Sequence, residues 1–212
     1  MPREVSLDPF GTSADPRRYV PIPTSERALA ALQAGICAGR SPLLLQGPGG
    51  VGKTLLLRVL AEREMRAGRR VLFSPFLHLP PEDVAPWLFH LVGWPRALAN
   101  VSDAALVDEL RAHGLTTTLL IVDEIQSATP ASARRLTELA GAAGPTLQLV
   151  TAGRARGDRL TEELHPAATV LLDGSFPPAE LRTLCEAFLA RAGVPPALKC
   201  LPPAEREVIV ER

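Results

Sequence analysis

Apolar and polar positions along this chain of 212 residues follow two patterns that take turns. In the first, short runs are apolar through most of their length: Leu43–Gln46, 69–74, 116–122, 146–151 and 168–172. The run at 116–122 (TTTLLIV) is rich in β-branched residues and shows no polar face. That is the pattern of a strand covered on both sides of a parallel sheet. In the second, apolar residues recur three or four positions apart, as on a helix with one buried face. Ala28, Leu29, Leu32 and Ile36 predict a helix over 25–38, with Thr24 or Ser25 as N-cap and Gly39 as its stop. Further helices are expected over Lys53–Arg66, after Pro80-Pro81-Glu82-Asp83, from Ser102-Asp103 to Ala112, and over 130–139 and 160–164. Two more open at Pro177-Pro178-Ala179-Glu180, running to Ala192, and at Pro202-Pro203-Ala204-Glu205. Strand and helix alternate throughout, so the fold expected is a three-layer α/β/α sandwich around a parallel five-stranded sheet. Residues 1–23, rich in Pro, Arg and Asp, show no period and read as an N-terminal arm; 24–175 are the core, and 176–212 begin a small helical lid.

Between the first strand and the second helix stands Gly47-Pro48-Gly49-Gly50-Val51-Gly52-Lys53-Thr54. It fills the G-x-x-x-x-G-K-[ST] phosphate-loop pattern in the strand–loop–helix setting that the pattern requires. Glycines let the backbone curl until several N–H groups face one anion, and the following helix adds its positive end. Gly47, Pro48, Gly49, Gly50, Val51, Gly52, Lys53, Thr54 and Leu55 are therefore the expected nucleotide cradle. Lys53 would reach the β- and γ-phosphates, and the Thr54 hydroxyl would bind Mg²⁺. The only lysines in the chain are Lys53 and Lys199. A sequence that uses Arg almost everywhere keeps a compact ammonium at this position, where a wide guanidinium fork fits less well.

About seventy residues later, Leu119-Leu120-Ile121-Val122 is followed by Asp123-Glu124. At the carboxyl end of a buried strand, Asp123 would emerge beside the loop and complete the Mg²⁺ shell, and Glu124 would orient and polarise the attacking water. One further strand, 69–74, lies between the loop and this acid pair in sequence. That placement points to the phosphate-loop NTPases with a catalytic Glu and sheet order 5-1-4-3-2. Thr151, at the expected tip of the fourth strand, is a third catalytic candidate, with a strand-end Thr bonded to backbone as its alternative. Gln126 is either at the site or in a solvated turn. Arg134, Arg135, Arg154, Arg156 and Arg159 are candidates for an arginine inserted across a subunit contact, for phosphate contacts to a nucleic acid, or for plain surface charge. The scattered histidines His78, His90, His113 and His165 receive no role.

Composition narrows the setting. Formal net charge is zero, which announces no global basic field for nucleic acid. Aromatics make up only 4% of residues, so Leu, Val and Ala must build the core. Cys37, Cys185 and Cys200 lack metal-site spacing and read as reduced thiols of a cytoplasmic protein. No signal peptide and no apolar run of membrane-spanning length is visible, so membrane insertion is not expected.

These residues resemble the ATPase domain of the general secretion pathway protein A (ExeA-type) group of AAA+ proteins, close to the transposition-helper ATPases. The resemblance rests on the lead-in Pro9-Phe10, Asp15-Pro16 and Tyr19, on the first helix with Gly39, and on the phosphate loop. It continues through the acid pair with Gln126, the 160–164 helix and Pro178 to Leu181 with Ala192-Gly193. It implies ATP binding and hydrolysis, assembly into homo-oligomers on nucleotide binding, and a partner protein driven by nucleotide state. Thr151-Ala152-Gly153-Arg154 departs from the group's usual Gly-Gln-Pro turn. The chain also stops at Arg212, where the group's lid continues into a helix bearing a nucleotide-sensing Arg, so the lid is expected to be partial. Three functions stay open: an ATP-driven assembly or remodelling factor, a slow nucleotide-dependent switch, and a DNA-binding transposition-type helper.

Overall fold

A computed structural model describes residues 14–93, 103–112, 117–154, 160 and 163–191. Its centre is a parallel five-stranded sheet of β1 (Leu43–Gln46), β2 (Arg70–Ser74), β3 (Thr118–Val122), β4 (Leu147–Gly153) and β5 (Ala168–Leu171). The order across the sheet is β2-β3-β4-β1-β5, the expected 5-1-4-3-2 arrangement seen from its other edge. All four pairings are parallel, as crossover helices require. The phosphate-loop NTPase sandwich is thus the fold of this chain.

The alternation within β3 shows why the run at 116–122 has no polar face. Leu119 and Ile121 enter one core, with α1 (Pro23–Cys37) and α2 (Lys53–Arg66). Leu120 and Val122 enter the other, with α3 (Val84–Val92), α4 (Asp103–Ala112) and α5 (Pro130–Ala143). Every residue of β3 is buried, so both pleat faces are apolar. The last described helix, α6 (Pro178–Arg191), buries only Glu180.

Several boundaries differ from the sequence expectation for physical reasons. Helix α1 begins earlier, with Ile22 at its N-cap and Pro23 at the first position, where a missing N–H costs nothing. Neither Thr24 nor Ser25 is the cap. The Thr24 N–H instead donates to Glu180 Oε2 at 3.2 Å and its hydroxyl to Glu180 Oε1 at 3.1 Å. A carboxylate from α6 thereby occupies the positive end of α1. Helix α5 runs on to Ala143, because Ala140 and Ala143 continue its buried stripe. Over residues 14–22 the N-terminal segment is packed on the sandwich: a 3₁₀ turn at Pro16–Arg18 leads to Val20 and Ile22, both buried. The helix expected after Pro202, and the arm residues Pro9 and Phe10, lie outside the described residues.

Candidate functional site

The loop leaves the sheet from an interior strand. β1 lies between β4 and β5, and all four of its residues are buried. Its exit is pinned on both sides. The Gly47 N–H donates to the Gly153 carbonyl at 3.2 Å, and the Leu172 N–H donates to the Gln46 carbonyl at 2.8 Å. A Cβ on Gly47 would stand 2.1 Å from the Leu172 oxygen, so only glycine lets the backbone pass. Gly52, the N-cap of α2, has φ +97°, a conformation that side-chain-bearing residues rarely adopt. Pro48, Gly49 and Gly50 between them are exposed, while Val51 packs its side chain against the α1–α2 core.

The chemistry-bearing residues converge above this exit. Lys53, the first residue of α2, is 5% exposed and donates from Nζ to the carbonyls of Gly47 (3.0 Å) and Pro48 (2.7 Å). Burial holds its ammonium below the ordinary lysine range; the carboxylates of Glu124 and Asp123 oppose that, and the positive Arg154 adds to it. The Thr54 hydroxyl donates to Asp123 Oδ2 at 2.6 Å, joining residues 69 positions apart. Asp123 is 2% exposed. Its N–H donates to the Ser74 carbonyl at 2.9 Å, continuing the β2–β3 ladder by one residue. Its Oδ1 accepts the Glu124 N–H at 2.8 Å. Glu124 takes a left-handed backbone (φ 43°, ψ 47°) and begins a 3₁₀ turn over Ile125–Ser127. A cleft of about 330 Å³ is lined by Gly50, Gly52, Lys53, Thr54, Leu55, Glu124 and Ala14.

Of the residues singled out from sequence, the loop, Lys53, Thr54, Leu55, Asp123 and Glu124 are therefore brought together. Thr151 is not. It is fully buried, its hydroxyl donates to the Leu43 carbonyl at 3.3 Å, and β4 continues two residues past it to Gly153. The expected strand tip was misplaced because pairing with β1, as far as Gln46↔Gly153, carries β4 further than its apolar run. The residue that does leave this strand beside the loop is Arg154, which stands close enough to Lys53 to lower its pKa. Parallel pairing was the available signal: it sets the end of β4 next to the end of β1. Arg134 and Arg135 are engaged elsewhere, Arg134 with Glu163 at 2.8 Å and Arg135 with Asp103. Arg156 and Arg159 lie outside the described residues. Ala14, on the cleft wall, carried no sequence signal.

Comparison with known proteins shows the family and the fold. The family described as AAA domain matches residues 37–160, which span β1, the loop, α2, the acid pair and β4. No curated protein matches the chain by sequence. Among solved structures, Cdc6p from Pyrobaculum aerophilum is similar over 82% of this chain and 52% of its own, with a TM-score of 0.61 and 17% identity. AMPPCP-bound DnaA from Aquifex aeolicus is similar over 92% of this chain and 58% of its own, with a TM-score of 0.58 and 14% identity. Replication initiator DnaA bound to AMPPCP and single-stranded DNA gives 92% and 59%, with a TM-score of 0.56 and 14% identity. At such identities the likeness is one of fold, and this chain spans little more than half the length of each. Among the described residues, no helix is long and apolar enough to cross a membrane.

Proposed function

We propose, for a chain that belongs to the AAA domain family, that the cleft binds ATP with Mg²⁺ and hydrolyses it, and that nucleotide state drives assembly on, or remodelling of, a partner. The observation that carries this reading is the Thr54–Asp123 hydrogen bond, which closes the two motifs onto one cleft with Lys53 and Glu124.

The loop from Gly47 to Thr54 presents its backbone N–H groups and the start of α2 to the triphosphate. Lys53, buried and donating to two backbone oxygens of the loop, supplies a positive charge to the β- and γ-phosphates. The Thr54 hydroxyl and the Asp123 carboxylate offer only oxygen donors, the set a hard cation selects, and would hold Mg²⁺. When bound, that ion neutralises charge on the β- and γ-phosphates. Glu124 accepts a proton from the attacking water as its oxygen bonds to the γ-phosphorus; the bond to the β-bridging oxygen breaks, and ADP and phosphate leave. Arg154, which follows β4 where it pairs with the exit of β1, is the candidate on the same subunit for a contact to the terminal phosphate. Residues 24–175 are the ATPase core in this reading, 1–23 an arm and 176–212 a lid.

Nucleotide titration and turnover test it. Lys53→Ala should weaken ATP binding at least about 100-fold, since a buried charged partner of the phosphates is lost. Glu124→Gln should bind ATP like the wild type and hydrolyse it about 100 to 10,000 times more slowly. Unchanged affinity in the first variant, or unchanged turnover in the second, removes that residue from the mechanism. Turnover per molecule that rises with protein concentration supports a homo-oligomer; flat, slow turnover with retained nucleotide supports a switch. The same assay with and without single-stranded DNA tests the helper reading.

A further inference from the structure

Glu124 is held through both its backbone and its side chain. Its backbone lies in the left-handed region, at φ 43°, which is costly for a residue with a Cβ and persists only where surrounding contacts enforce it. Three contacts do so. Asp123 Oδ1 takes its N–H at 2.8 Å, the Ser127 N–H donates to its carbonyl at 2.8 Å, and the Gln126 side-chain amide donates from Nε2 to Glu124 Oε2. The last contact fixes the carboxylate itself, since one of its two oxygens is taken. The amide can point only one way, because the opposite flip would set its carbonyl oxygen against a carboxylate. Its own Oε1 is buried with no hydrogen-bond partner, so the amide gives up one of its bonds to make this contact. The turn that carries Gln126 is itself anchored. Ile125 is fully buried, and Ser127 accepts the Leu77 N–H through Oγ at 3.1 Å.

We infer that Gln126 is a positioning residue for hydrolysis: it pins one oxygen of Glu124 so that the other faces the cleft, where the attacking water would be polarised. This rests on the reading of Glu124 as the base. Packing alone does not explain the arrangement, because an apolar side chain at 126 would fill the space without stranding a buried carbonyl oxygen.

The test begins without nucleotide. In ¹⁵N-labelled protein the Gln126 NH₂ signals are identified by their loss in Gln126→Leu. They are expected to be displaced from free-amide positions and slow to exchange with water, and to move to free-amide positions with faster exchange in Glu124→Ala. Signals that are the same in wild type and Glu124→Ala would overturn the inference, since the bond would then not exist. Kinetics supply the second arm. Gln126→Leu removes the donor, and Gln126→Glu keeps the shape while removing the donor and adding a like charge. Both should lower kcat by about 10- to 100-fold, the usual effect of losing a residue that orients a catalytic group, with ATP affinity unchanged. Wild-type kcat in Gln126→Glu, with Glu124→Gln inactive, sinks the positioning role and leaves the base in place. Wild-type kcat in Glu124→Gln sinks the base assignment instead, whatever the amide signals show.

Discussion

The carboxylate of Glu26 accepts from both terminal nitrogens of Arg63, at 3.0 and 2.7 Å, and from the Tyr19 hydroxyl at 2.8 Å. Arg63 also lies over the Tyr19 ring, 6.0 Å from its centre. The guanidinium holds the Glu26 pKa below its ordinary 4.5, while burial pushes the Tyr19 phenol well above its usual range, so the tyrosine keeps its proton and goes on donating. A carboxylate depressed in the folded state contributes stability that is present above its unfolded pKa and lost as pH falls through the folded one. Glu26→Gln should therefore cost up to about 1 kcal/mol at pH 7, where a part-exposed ion pair retains little more. Denaturant melts at pH 7 and pH 3 check this: the gap between variant and wild type should close at the lower pH. Residues at this scale were unevenly legible in the sequence. Lys53, Thr54 and Asp123 could be read because a phosphate site imposes spacing and residue type together. The choice between the two readings of Thr151, and the place of Arg154 beside Lys53, are not legible, because strand ends are decided by pairing partners more than one hundred positions away.

Elements were legible wherever burial shaped their composition. β1 and α2 begin and end where the apolar pattern places them, and β3 differs only at its start. The start of α1 was not, since the group that satisfies it comes from α6. Glu180 is 7% exposed and is the one buried residue described in that helix, so it ties α6 to α1 at one end. Arg191 ties the other, donating to the carbonyls of Arg18 and of Tyr19, the latter at 3.1 Å. Glu180→Ala should leave the Thr24 N–H and hydroxyl without their acceptor and cost about 1–2 kcal/mol, as loss of a cap does. Amide exchange should then quicken across 178–191 and the first turn of α1 while β1, β3 and β4 keep their protection. Uniform exchange across the sheet and both helices would show that this contact does not govern the docking of α6.

For the molecule as a whole, the sheet order has a consequence for the timetable of synthesis. β1 and the loop are translated before both strands that flank β1, which follow at 147–153 and 168–171. Even the oxygen that crowds Gly47 belongs to Leu172. A nascent chain therefore carries its phosphate loop for more than one hundred residues of elongation before the groups that shape it emerge. During that interval β1 is a short apolar strand, Leu-Leu-Leu-Gln, with both edges unpaired, the kind of segment that associates with other chains. A chain ended at Pro166, before β5, should fail to bind ATP and should aggregate, while one ended after Arg191 should bind. Soluble, nucleotide-binding protein from the shorter chain would show that β4 alone sets the loop. On this account the phosphate loop leaves the ribosome well before it can become functional, and chaperone dependence should be heaviest between those two moments.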